Sequence, residues 1–514
     1  MAETSKPEGP SAAWLVACAG VLLALAGLYR VRTFDTFFHL AAGRLILARG
    51  AVPTVDPFSF SFPGVRWLDH SWGFQALLAA LHGIGGFVAL SLWQALTACL
   101  TGGLSGWSVR ADRQAWGLGA ALAVLPAVAL REVLEARPHM LAFVCLSLSS
   151  LLTLRVLRGR SVWSLAWLLP LHALWLTVHG SHVLLLVLLA SAALVSAARR
   201  RVRVASAFAL ALTVALTLVM LLAPAALMQG SDHLRSSFLE GQVQEWYPVT
   251  LSDLLSYWPG RALLLLLGLP ALGVISTLRA LVKAPHAPSD TSEPSLGAWQ
   301  QTPSERSAVI YRLLLWTLFA GLALTSRRML ALYALGMGPI WLPLAIRGAR
   351  ALSALWPGMK VRFGGLALPA LSLAGLALVL LCTPSPFELG AGLMSGRFPE
   401  RAVAHMQRRQ RIARVYNAYN FGGYLMWQRP ERGVFVDGRA ITVYPAAFLD
   451  AFERAYVDMQ TFEALAAHFA VDGALLPTGS ARTAMLRRYL DASPGWRVSY
   501  RDEIAVVYER ASVP

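Results

Sequence analysis

Apolar runs of about 18 residues or more recur along the chain, separated by short polar and charged stretches. They fall at about 12–29, 72–98, 114–130, 138–154, 161–178, 182–198, 204–223, 261–280, 307–325, 329–346 and 363–382. Runs of this length cross a hydrocarbon layer of about 30 Å, so the pattern predicts about eleven transmembrane helices. The first run follows Lys6 and ends in small residues, as a signal peptide does. Glu3 and Glu8 precede it and the run is long, so it reads as an uncleaved anchor behind a short tail, 1–11.

Beyond about residue 396 the pattern changes. Short apolar runs such as GVFVDGR, GALLP, WRVSYRD and IAVVYER alternate with charged helical segments such as AAFLDAFERAY and TAMLRRYL. Strands of four to six residues separated by helices predict a small α/β domain over 396–514. Within it, VFVDGR reads as a strand with Asp437 and Arg439 at its carboxyl end, either a ligand site or an internal ion pair. The Pro- and Ser-rich stretch within 284–306 reads as a flexible linker loop. The fold class is therefore mainly α: a polytopic membrane domain over 12–383, with an outer loop at 30–71, followed by the α/β domain.

Charge gives the sidedness. Basic clusters at Arg110/Arg113, Arg155/Arg158/Arg160, Arg199–Arg203, Arg279/Lys283 and Arg347–Arg362 fall in every second loop. The positive-inside rule then makes the amino terminus cytoplasmic and places everything after about residue 383 outside, in the inner (plasma) membrane of a cell. The formal net charge of +17 belongs to this topology and not to a nucleic-acid groove. Only 14% of residues are charged, which excludes a soluble globular enzyme. Of the 45 basic residues only Lys6, Lys283 and Lys360 are lysine, a bias associated with a GC-rich bacterium. Cys18, Cys99, Cys145 and Cys382 all lie in apolar runs without metal-site spacing.

The remaining loops concentrate chemistry on the opposite face. Loop 30–71 carries Asp35, His39, Asp56, Asp69 and His70, and its FFHLAAGRLILARG segment predicts an amphipathic helix along the membrane surface. The next outer loops carry Glu132, Glu135, Arg137 and His139, then His179 and His182. Loop 224–260 adds Glu240, Glu245, Trp246 and Asp253, and the last tight loop is Ser326-Arg327-Arg328. Ionisable groups at membrane depth are costly, so their convergence on one face marks a site. Plainer roles compete: Asp69 as a helix N-cap, Arg137 as a snorkelling anchor, His179 as an interfacial residue. Adjacent arginines on the non-cytoplasmic side run against the topology rule, which favours binding of an anion such as phosphate.

The stretches FDTFFHLAAGRLILARGAVPTVDPFSF…WLDHSW, ARPHMLAF, LWLTVHGSH, SRRMLALYALGMGPI and YNAYNFGGYLMW…VFVDGR resemble the GT-C superfamily of polytopic membrane glycosyltransferases. These include the protein O-mannosyltransferases, the aminoarabinose transferases and bacterial relatives, and the likeness spans most of the chain. The resemblance implies transfer of a sugar from a polyprenyl-phosphate-linked donor to a glycan, lipid or protein acceptor at the outer face. It also implies that Asp35, the acid after the first span, serves the acceptor or a metal ion. Relatives often carry two adjacent acids there, whereas Thr36 follows Asp35 here. Asp69 and Glu132 are the candidates for the second carboxylate.

In such a transfer a carboxylate acts as general base on the acceptor hydroxyl, and cations meet the charge growing on the departing phosphate. Arg137, Arg327 and Arg328, with His39, His70 and His179 as further binding residues, are the candidates for substrate contact. A divalent metal at Asp35 is compatible with this chemistry and not demanded by the sequence. Two other readings remain open, a transporter or flippase of lipid-linked substrates and a non-catalytic membrane assembly protein. Against the first, no internal repeat is visible and the spans hold almost no mid-helix charge.

Overall fold

The protein is described by a computed structural model covering residues 12–221, 249–250, 258–283, 302–355, 388–409 and 411–511. The expected tail 1–11, the span 363–382, most of the linker 284–306 and the loop acids Glu240, Glu245 and Asp253 lie outside the described residues. The chain divides into two compact units. One contains residues 1–29, 91–219 and 245–386; the other contains 30–90, 220–244 and 387–514.

The first unit is helical. Among the described residues, five helices are long and apolar enough to cross a membrane: Trp72–Trp107 (which begins in the second unit), Pro138–Leu157, Arg200–Val219, Ala262–Val282 and Pro303–Ala323. A sixth span arises if the bent pair Arg327–Gly336 and Gly338–Ser353 counts as one. Three of the other expected spans are shorter apolar helices, Val16–Gly27, Val162–Leu176 and Gly180–Val195, and the run 114–130 forms Trp116–Ala129. Two of them open with a 3-10 turn, at Val162–Trp167 and at Gly180–Val183, and such a turn advances about 2.0 Å per residue. They therefore reach further than their residue count suggests.

The bent pair turns through 79° at a π-helical turn, Leu332–Gly336, followed by Met337. Such a break releases backbone carbonyls that lipid cannot satisfy, so neighbouring side chains must. Ser147 Oγ donates to the Gly336 carbonyl at 2.9 Å and Trp341 Nε1 to the Ala334 carbonyl at 3.0 Å. Helices Trp258–Lys283 and Gly338–Ser353 cross on two glycines. A Cβ at Gly273 would lie 1.9 Å from the Leu344 carbonyl oxygen, and one at Gly348 would lie 1.9 Å from that of Leu269. Small residues thus bring the two backbones into direct contact, the usual means of helix association in lipid.

The second unit joins the loop after the first helix to the C-terminal segment. The α/β character expected for the latter takes the form of a four-stranded sheet of order β1-β2-β4-β3. Here β1 is Val415–Asn417, β2 Gly473–Pro477, β3 Trp496–Arg501 and β4 Ala505–Arg510. β1 and β2 are parallel and the other pairings antiparallel. Helices Ala446–Arg454 and Met459–His468 lie in the β1–β2 connection. Tyr416, Phe435, Phe452 and Phe462 pack beside them with ring centroids 4.9–5.4 Å from that of Tyr416.

Two expectations change. VFVDGR is not a strand: only Val434 forms a bridge, with Ser59. The Asn417 side chain takes the place of a neighbouring strand, accepting from Phe435 N at 3.0 Å and donating to the Val436 carbonyl at 2.8 Å. The segment FFHLAAGRLILARG does form a helix, Asp35–Arg49, but buries Thr36, Phe37, His39–Gly43 and Ile46 inside its unit. A Cβ at Gly43 would lie 2.0 Å from the Gln75 carbonyl oxygen, and one at Gly423 would lie 3.0 Å from that of Phe34. The helix is wedged between two others instead of resting one face on a surface.

Candidate functional site

Residues 67–71 lead into the helix that starts at Trp72, and Asp69 stands where an N-terminal capping acid is expected. Its Oδ1 accepts from Ser71 N at 3.1 Å and from Gln75 Nε2 at 2.9 Å, which closes the turn before the helix and ties it to the helix's first turn by a side chain instead of by capping a helical N–H. The other oxygen is not used. Asp69 is 7% exposed, and neither its Oδ2 nor the Oε1 of Gln75 has a hydrogen-bond partner. Burial drives the Asp69 carboxyl up to about 7, against the Ser71 amide, the charge of Arg439 and the Gln75 amide, which all favour the anion. A carboxyl divided in this way, with one oxygen anchored and one idle, ionises near neutral pH, as a general base requires.

Asp35 lies in the first turn of helix Asp35–Arg49, where the helix dipole favours a negative charge. His39 follows one turn later, buried, with its ring 4.0 Å from that of Phe38 and 5.5 Å from that of Phe74. The turn Asp437–Arg439 runs close over this first turn. A Cβ at Gly438 would lie 3.0 Å from Asp35 Oδ1 and 3.1 Å from the Phe38 ring. A side chain at 438 would fit only if the carboxylate and the ring gave way by a few tenths of an ångström.

Arg439 is a buried cation of this unit. Its Nε and Nη2 grip the two oxygens of Asp437 at 2.8 and 2.7 Å, and its Nη1 reaches Asp56 at 2.5 Å. Tyr444 donates to Asp437 at 2.6 Å, and the guanidinium stacks 4.8 Å from the Trp67 ring centroid. All three charged side chains are at most 1% exposed. Burial alone would raise the Asp437 carboxyl, but the Arg439 charge and hydrogen bonds outweigh it and hold the group below its ordinary range. Asp437 and Arg439 therefore form an internal ion pair, the second of the two roles open to them in the sequence. Gln75 is not among the residues expected from the sequence, and its signal there is a lone amide at the start of the apolar run WGFQALLAAL. His70 is exposed beside Asp69.

The other candidates belong to the helical unit. Ser326 caps the short helix Arg327–Ala331 through Met329 N. Arg328 Nη2 meets His179 Nε2 at 3.0 Å, and His179 Nδ1 lies 2.8 Å from Ser181 Oγ. His179 Nδ1 also accepts from Ser181 N at 3.1 Å, so the ring is held at both nitrogens. Arg137 is the extended residue just before helix Pro138–Leu157, half-buried, and Arg327 is half-buried beside Arg328. Glu132 sits exposed in the turn Arg131–Val133, without the burial that tunes Asp69. Among the described residues no group of three or more His, Cys, Asp or Glu side chains is placed to hold a metal ion.

No protein-family model matches the sequence, and no curated protein matches it. Solved structures do match. Archaeal oligosaccharyltransferase AglB from Archaeoglobus fulgidus, in complex with an inhibitory peptide and a dolichol-phosphate, aligns with a TM-score of 0.55. That alignment covers 98% of this chain and 75% of that chain at 10% identity. ArnT from Cupriavidus metallidurans bound to undecaprenyl phosphate aligns with a TM-score of 0.53, covering 98% of this chain and 99% of that chain at 13% identity. At such identities the likeness is one of fold, and it extends over nearly the whole chain. The chain thus has the fold of the GT-C superfamily of polytopic membrane glycosyltransferases, the family its sequence resembles.

Proposed function

We propose that this protein transfers a sugar from a polyprenyl-phosphate-linked donor to a hydroxyl- or amine-bearing acceptor (a lipid, glycan or protein) at the outer face of the membrane. The two fold neighbours were solved with dolichol-phosphate and undecaprenyl phosphate, which supports a lipid phosphate as the carrier. The observation that carries the reading is Asp69: a buried carboxyl with one idle oxygen and an acidity near neutral. As base, Asp69 takes the acceptor proton while the bond from the sugar anomeric carbon to the phosphate oxygen breaks. The phosphate leaves with the electron pair, and the sugar passes through an oxocarbenium-like state.

Asp35, which the family resemblance gives to the acceptor or a metal ion, is taken here to orient the acceptor, beside the buried Arg439–Asp437–Asp56 network. Arg328, positioned by its contact with His179, and Arg327 are proposed to receive an anionic group of the substrate, with Arg137 as a further cation. Glu132, being exposed, is the weaker choice for a second carboxylate. In this reading 12–383 is the membrane domain, the amino terminus is cytoplasmic, and 396–514 faces outward. The test is transfer in membranes carrying Asp69→Asn at wild-type abundance, followed by mass spectrometry of lipid-linked sugars and surface glycans. Loss of product supports the assignment. Unchanged product removes Asp69 as the base and passes that role to Asp35.

A further inference from the structure

Helix Pro303–Ala323 carries an arginine that none of the chemistry above employs. Arg312 is 5% exposed, and its Nε and Nη2 have no hydrogen-bond partner. A guanidinium only donates, and burying it without acceptors is among the costliest arrangements open to a membrane helix. Such a residue persists where an anion completes it.

The surroundings say where that anion enters. A helical side chain leans toward the amino-terminal end of its own helix, so Arg312 leans toward Pro303. That end meets the carboxyl end of helix Pro138–Leu157, where a Cβ at Gly159 would lie 3.8 Å from the Ser304 side chain. Arg158, beside Gly159, is within electrostatic reach of Arg312, and Arg110 is within reach of Arg155, Arg158 and Arg160. Two acids lie near this group. Asp112 is held by Arg350 at 2.6 Å, and Glu305 faces Arg158. Positive charge is left in excess around an inward-leading guanidinium. From Ser304 to Arg312 the helix advances about 12 Å.

We propose that Arg312 and Arg158 form a binding site for a phosphate-bearing anion at the basic end of helices Pro138–Leu157 and Pro303–Ala323. The planar guanidinium of Arg312 matches two phosphate oxygens, and the outer arginines draw the anion in. Two sources share this chemistry, the headgroup of an anionic phospholipid and a soluble phosphate.

The full chain is reconstituted in phosphatidylcholine nanodiscs, in the same discs containing phosphatidylglycerol, and in phosphatidylcholine discs with added inorganic pyrophosphate. Thermal unfolding and native mass spectrometry of retained lipid are the readouts. Wild type is expected to be stabilised by one of the two phosphate sources, and the responding arm identifies it. Arg312→Met should bind that source roughly tenfold more weakly or worse, as loss of a charged hydrogen-bonding group implies, with Arg312→Lys falling between. Should Arg312→Met fail to insert, Arg158→Gln at the exposed rim is expected to weaken the same stabilisation. A wild type unmoved by both sources, or an inserted Arg312→Met or Arg158→Gln that responds as wild type does, overturns the proposal.

Discussion

Replacing Asp69 by Asn separates two consequences of one buried carboxyl. The amide keeps an oxygen for Ser71 N and Gln75 Nε2, and it removes the charge. In the folded protein the carboxyl ionises at about 7, against an ordinary 3.8. That difference corresponds to about 4 kcal/mol between the two protonation states. The sign follows from proton binding. The folded chain holds this proton more tightly than the unfolded chain, so stability falls as pH rises from about 4 to about 7 and is level beyond both limits. Wild type therefore carries the full penalty at pH 8 and only a part of it at pH 5.

Asp69→Asn escapes that penalty. Thermal unfolding of the purified variant should exceed wild type by several degrees at pH 8 and by much less at pH 5. The same substitution should lower transfer by at least about 100-fold, the ordinary worth of a general base, while wild-type transfer falls on acidification through pH 7. A more stable and inactive variant is the signature of a group retained for chemistry at the expense of folding. Equal pH slopes for the two proteins between 5 and 8 would refute the reasoning, because the carboxyl would then ionise as an ordinary one. Retained transfer would refute the assignment of the base.

Arg439→Met leaves Asp437 and Asp56 buried without their cation and should destabilise the protein by about 3–5 kcal/mol, read by thermal unfolding or limited proteolysis; wild-type stability would mean that the network is not formed. Gly43→Ala drives a methyl group to 2.0 Å from the Gln75 carbonyl oxygen and should cost about 1–3 kcal/mol as the two helices part, with an unshifted melting curve as the contrary result. Arg328→Lys keeps the charge but loses the planar fork and its contact with His179, so apparent donor affinity should drop about tenfold in a transfer assay; unchanged affinity and turnover would take Arg328 out of the site.

Much of the helical fold was legible because lipid imposes a simple rule on sequence. Every backbone polar group must be satisfied inside its own segment, which demands long apolar helices and makes them visible as runs. The rule weakens where helices are irregular. The 3-10 turns before Leu168 and Leu184, and the π-helical turn at Leu332–Gly336, leave no mark in hydropathy, because what permits them is a neighbour's side chain. Ser147 lies 189 positions from the carbonyl it satisfies. The same holds for VFVDGR, whose composition is that of a strand and whose partner is the side chain of Asn417.

The candidate site divides along the same line. Asp35, His39, Asp69, Arg328 and His179 stand out in the sequence as ionisable residues in loops on one side, and the structure pairs Arg328 with His179 and buries Asp69 and His39. What loop chemistry could not supply is environment. Asp69 and Glu132 are equivalent carboxylates in sequence, yet one is buried with an idle oxygen and the other is exposed. A charge reaches Asp69 from far along the chain, that of an arginine that also binds Asp56 across 383 positions. That arginine, held by Asp437 and Asp56, favours the Asp69 anion together with the Ser71 and Gln75 amides, and burial outweighs all three. Desolvation, which Glu132 at its exposed turn escapes, is thus what leaves Asp69 able to accept a proton near neutral pH.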